Sequence, residues 1–147
     1  MGMLDSNLIF CEAQAVTATG DTPSTNVYDT GNGNGSGDAG LTGENLWINA
    51  VCTTAVTSDG SATVQAVLQS SADNTTFTDV VAGLPIAKAS LLAGTVMLMV
   101  QPPPGMLEYW RVVWRVGTAA LTAGAFDAWV SNTIQDNVSR NSGFSVN

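Results

Sequence analysis

Apolar and polar residues alternate along nearly every patterned stretch of this chain, and a period of two leaves few architectures open. Leu46, Ile48, Ala50 and Cys52 share one parity, with Trp47, Asn49, Val51 and Thr53 on the other. Val64, Ala66 and Leu68 alternate with Thr63, Gln65, Val67 and Gln69, and Trp110, Val112, Trp114 and Val116 with Tyr109, Arg111, Val113 and Arg115. Such spacing puts successive side chains on opposite faces of a strand. No stretch sustains a helical period over three turns, and no repeat of solenoid length is present. The turn-forming run Ser58-Asp59-Gly60-Ser61 separates the first two segments, which predicts that they pair as a hairpin.

Further strands are expected at Phe77 to Val81, Thr95 to Gln101 and Leu121 to Asn132, with two more near Asn7 to Val16 and Asn26 to Tyr28. Ile86 to Leu92 reads as a short or irregular strand after Pro85. In the Thr95 segment Val96, Leu98 and Val100 oppose Met97 and Met99, and Pro102-Pro103-Pro104 ends it because proline cannot donate to a ladder. Short antiparallel strands with turns between them predict an all-β fold, a β-sandwich or jelly roll. Pattern alone does not choose among sandwich, jelly roll and barrel. Thr30 to Gly43 (TGNGNGSGDAGLTG) reads as a glycine-rich loop. The expected organisation is one β domain over residues 1–132 and an extended C-terminal tail over residues 133–147, in which Phe144 is an isolated aromatic. Tails of this composition commonly order on a partner.

At 147 residues the chain suits a single domain with a core of its own. Only 11% of its residues are charged, so its surface polarity must come from Thr, Ser, Asn and Gln. Twelve acids against four basic residues leave a net charge of -8. Phosphate backbones and anionic lipid surfaces are bound by clustered Lys and Arg, so neither nucleic acid nor membrane is an expected partner. The N-terminus has no basic region ahead of an apolar run, and the longest apolar stretch is too short to span a bilayer. A soluble protein made without Sec-type export is expected.

The chain has no histidine, which removes Ser-His-Asp and Cys-His catalysis together with His-containing zinc sites. Cys11 and Cys52 are too few for an all-thiolate zinc cage. They are expected as buried thiols, with a disulfide between them the open alternative. Asp29, Asn32, Asn34, Ser36 and Asp38 place oxygens along the glycine loop in a way calcium would accept, but no bidentate Glu follows. A plain loop is the expectation, with no metal and no cofactor. The acids are scattered, so no pair is placed as a glycosidase would need, and no catalytic residue is assigned.

Trp110 and Trp114 are expected in the core. Trp47 and Trp129 lie opposite the apolar sets of their strands. With Met97 and Met99 they are the candidate apolar interface residues, unless both sheet faces are covered within one subunit. Arg111 and Arg115 point the same way from one strand. They are expected either to pair with nearby acids such as Asp127 or to grip a carboxylate across an interface. Phe144 joins the candidate interface set.

Four segments carry a resemblance to a known family: LIFCEAQA (Leu8 to Ala15), SDGSAT (Ser58 to Thr63), LQSSADNTTF (Leu68 to Phe77) and YWRVVWRVGTA (Tyr109 to Ala119). Over about Asn7 to Val130 the chain resembles the small jelly-roll capsid cement proteins of tailed bacteriophages, also called decoration or auxiliary head proteins. It departs from them in the glycine insert Asn32 to Gly40 and in the triple proline. The resemblance implies a structural, non-enzymatic protein of the virion, assembled in the host cytoplasm. It would sit on the outside of the head as a homo-oligomer, dimer or trimer, bridging major capsid proteins. The alternative is a glycan- or receptor-binding β-sandwich, in which exposed tryptophan would stack on sugars. A small hydrolase with two acids facing one cleft is a third possibility.

Overall fold

The computed structural model describes residues 8–31 and 46–131. The glycine loop beyond Gly31, the tail with Phe144 and the boundary at residue 132 therefore lie outside the described residues, as do Asn32, Asn34, Ser36 and Asp38. Among the described residues ten strands run in this order: β1 (Ile9–Ala15), β2 (Gly20–Pro23), β3 (Tyr28–Asp29), β4 (Trp47–Thr57), β5 (Thr63–Ser71), β6 (Thr78–Ala82), β7 (Ile86–Ala87), β8 (Val96–Val100), β9 (Tyr109–Gly117) and β10 (Ala123–Ser131). A 3-10 turn, Lys88–Ser90, lies between β7 and β8.

The strands form two antiparallel sheets. The first has the order β1-β10-β4-β8; the second has the order β2-β9-β5-β6, with β3 also on β9 and β7 also on β5. β2 and β3 pair with opposite ends of β9, and β6 and β7 with opposite ends of β5, so each couple is one interrupted edge strand. Eight strand positions then divide four and four, with most connections crossing from one sheet to the other. This β-sandwich has jelly-roll topology.

The expected hairpin between β4 and β5 is not formed. β4 pairs with β10 and β8, whereas β5 lies in the other sheet between β9 and β6. The turn at 58–62 is a crossover instead. Two strands that each bury one face give the same alternation whether they lie side by side or face each other across a core. The turn is held against the β9–β10 connection at the same end of the sandwich, where Ser58 Oγ donates to the Ala120 carbonyl at 2.6 Å. Gly60 sits so close that an added Cβ would stand 2.5 Å from the Ala119 Cβ.

The core fills the space between the sheets. Ile48, Ala50, Cys52, Phe126, Ala128 and Val130 point in from the first sheet, and Val64, Ala66, Leu68, Trp110, Val112, Trp114 and Val116 from the second. Cross-strand neighbours pair large with small: Trp114 opposite Ala66, and Trp110 opposite Ser70. That complementarity lets two tryptophans fit a thin layer. Trp114 stacks on Phe126 with centroids 4.6 Å apart and joins the two sheets face to face. Both cysteines are free and buried. Cys11 is on β1 and Cys52 on β4, with β10 between them. Two strand spacings separate them by about 9.5 Å, beyond the reach of a disulfide.

Edge strand β1 carries two bulges, and Ala13, in the second of them, adopts a left-handed φ of 46°. The Asp127 carboxylate accepts from the Ala13 N–H at 2.6 Å and holds this strained residue in place. A bulged edge is a poor template for adding another strand.

Candidate functional site on the outer sheet faces

The candidate interface residues separate onto opposite sides of the sandwich. On the outer face of the first sheet, one cross-strand row reads Ile9, Trp129, Asn49, Met99. Trp47 stands beside Ser131 in the next row. This face holds Trp47, Met99 and Trp129 together, as parity predicts, but it is largely buried. Trp129 is 5% exposed, Asn49 and Val51 are buried, and Trp47 and Met99 are half-buried. The side-chain amide of Asn49 donates to Ser131 Oγ at 2.9 Å, while Asn49 Oδ1 and Trp129 Nε1 are buried without a partner.

Met97 is the exception, because it belongs to the core cluster rather than to this face. The β4–β8 register shifts between Ala50, which faces Leu98, and Val51, which faces Val96. A bulge in β8 thus turns two successive residues, Met97 and Leu98, inward. It leaves Val96 outward and 43% exposed. Strict alternation had placed Val96 with Leu98.

On the outer face of the second sheet the rows are Asp21–Arg115–Gln65, Pro23–Val113–Val67–Ala82 and Arg111–Gln69–Asp79. Asp79 reaches this face because a register shift in β6 opposes Leu68 with Val81 but Gln69 with Asp79. Arg115 forms a fork on Asp21, Nε to Oδ1 at 2.7 Å and Nη2 to Oδ2 at 2.9 Å, and its Nη1 reaches Asp79 Oδ2 at 3.0 Å. To span from its own row to that of Asp79 it must lie across Val113 and Val67. Both valines point outward and yet are fully buried.

The network continues through Gln69, whose Nε2 donates to Asp79 Oδ1 at 2.7 Å. A carboxylate only accepts, so this bond fixes the amide orientation and turns Gln69 Oε1 toward Arg111. Arg111 Nε donates to that oxygen at 2.9 Å, and the guanidinium lies 3.8 Å above the Phe77 ring centroid.

The expected partner Asp127 is on the other sheet, occupied with the Ala13 N–H. The acids that pair with Arg115 are Asp21 and Asp79, from β2 and β6. Asp21, Asp79, Gln69 and Phe77 were not legible as partners, because only the register of three different strands brings them to one face. The outward parity of Arg111 and Arg115 was the available signal.

Hydrogen bonds from Arg115 hold both Asp21 and Asp79 below the usual carboxylate range, with Gln69 adding to the effect at Asp79. The same bonds raise Arg115. Burial lowers Arg111, opposed by the charge of Asp21. Asp73, in the β5–β6 turn, is taken down to about 2 by the backbone N–H groups of Thr76 and Thr75 and by the Ser71 hydroxyl. Burial pushes Cys11 up to about 11, against a smaller downward pull from the Trp114 indole.

Among the described residues no group of three or more acids, cysteines or histidines could hold a metal ion. No helix among them is long and apolar enough to cross a membrane. A family model, Bbp16, matches residues 10–130 of the chain, from β1 through β10. No curated protein matches it.

Proposed function

The chain belongs to the Bbp16 family, a family of phage proteins, and on that premise we propose that it is a structural component of the virion. Its role in this reading is that of a capsid cement protein. It binds the outer surface of the phage head as a small homo-oligomer and stabilises contacts between major capsid proteins. The observation that carries the reading is the extent of the family match. The match covers the whole jelly roll, so the fold itself is the shared feature, rather than a local site placed on it.

The chemistry of the outer faces supports binding over catalysis. Glycosidase-type acid catalysis needs a carboxyl whose pKa is raised, so that it holds a proton near neutrality. The carboxylates with shifted pKa values, Asp21, Asp73 and Asp79, are all held lower by structural hydrogen bonds. A glycan-binding role has less support, since Trp110, Trp114 and Trp129 are buried and Trp47 is half-buried.

A cement protein acts by linkage. A ligand that binds the finished shell and not its dissociated parts stabilises the shell, by about 2.7 kcal/mol per site at a free concentration of a hundred times Kd. Contacts repeated over a lattice add further through avidity. Heads assembled without this protein should therefore break at a lower temperature, and adding the purified protein back should restore the wild-type value. Heat resistance that does not change with its presence would overturn the reading.

A further inference from the structure

Arg111 differs from Arg115, the other described arginine, in having no carboxylate. Arg115 is neutralised by two, and Lys88 Nζ donates to the Ser58 carbonyl at the crossover turn. Only the Nε of Arg111 is engaged, by Gln69. Its two terminal nitrogens make no hydrogen bond among the described residues. They are also absent from the buried polar atoms without partners, so they are open to solvent.

The side chain is nevertheless held in place. Phe77 supports the flat face of the guanidinium, and Gln69 grips its Nε. Gln69 is itself fixed by Asp79, and Asp79 by Arg115. A guanidinium normally loses rotamer freedom when it binds, and that entropic cost weakens the contact. Here most of that cost has already been met in folding. The two carboxylates nearest Arg111 in the network are turned toward Arg115 and Gln69. The outer face of the second sheet therefore presents one oriented, unneutralised fork on a protein whose net charge is -8.

The geometry points to the outer face of the second sheet as the surface that meets the capsid, with Arg111 receiving a carboxylate from a shell subunit through its two terminal nitrogens. This rests on the cement reading. It selects Arg111 over Arg115, and the second sheet over the first. A carboxylate fits better than a phosphate, because a single cation surrounded by acids is too little to hold a polyanion but matches one planar, bidentate acid.

The test is co-sedimentation of the full-length protein with purified heads assembled without it. Wild type is compared with R111A, R111K and V96S, the last on the opposite sheet, and thermal melting serves as the folding control. R111A should melt like wild type and bind at least about tenfold more weakly, the loss expected of a central arginine anchor. R111K, which keeps the charge and loses the flat fork, should fall between them, and V96S should bind as wild type does. Should R111A fail to fold, R111K carries the comparison. Binding by the folded arginine variants equal to wild type overturns the assignment and leaves the cement reading standing. Failure of wild type to bind heads sinks that reading instead. If R111A lowers the protein's own oligomeric mass while head binding per protomer is unchanged, the carboxylate belongs to a second copy, and the assignment to the capsid is wrong.

Discussion

Single residues show most clearly how local hydrogen bonds become measurable properties. The Asp73 carboxylate accepts from the backbone of Thr75 and Thr76 and from Ser71 Oγ, and so holds the β5–β6 turn around Asn74 at its left-handed φ of 55°. Its folded pKa lies below its unfolded value. Its contribution to stability is therefore present above about pH 4 and lost as pH falls through about 2. D73N keeps an acceptor oxygen but cannot titrate, so its urea midpoint should fall less steeply than that of wild type between pH 5 and pH 2. Cys11 gives a second prediction at this scale. A thiol raised to about 11 and closed off from solvent is a poor nucleophile. A thiol reagent should leave Cys11 and Cys52 unmodified in the native protein and label both in denaturant. Rapid labelling of native protein would contradict the packing around β1.

At the scale of elements, the edges carry the most information. The β6–β7 edge is broken at Gly83, where the chain presses against the other sheet. A Cβ there would stand 3.0 Å from the Met97 carbonyl and 3.2 Å from that of Ala66, both of them backbone atoms that cannot swing aside. G83A should destabilise the protein by about 1–3 kcal/mol, the usual cost of overpacking, read as a lower urea midpoint with an unchanged slope. Parity located β4, β5, β9 and β10 because those central strands are regular and bury one face against the core. It failed at β8 and missed the register of β6, where bulges change which residues face inward. It also missed β2, whose four residues Gly20–Pro23 carry no alternation and are a strand only because β9 offers them a ladder.

For the whole molecule, cohesion of the two sheets rests on the aromatic pair Trp114 and Phe126. W114A should cost about 3–5 kcal/mol, enough to unfold a marginal domain, because the cavity would open at the middle of the layer. Phe126 to a smaller side chain should behave alike. Because the two residues touch, the double variant should cost less than the sum of the singles. The two outer faces differ in kind. One is an apolar row that is largely buried, and the other is a charged network that ends in an oriented arginine open to solvent. That asymmetry is why the proposed capsid contact is placed on the second sheet.

By itself the amino-acid order determined the secondary-structure class, the strands at the centre of each sheet, the apolar set that fills the core and the exclusion of histidine chemistry. Each of these follows from local residue types or from a period of two, and neither needs a partner strand to be known. Strand pairing, and with it every neighbour across a face, came only from the tertiary structure. β4 and β5 present the same alternation as a hairpin would, yet they lie in different sheets. Arg115 meets Asp21 and Asp79 rather than Asp127, and Met97 turns inward at a bulge. Register depends on which apolar face packs against which other across the core. That energy is shared among strands far apart in sequence, and no single segment contains it.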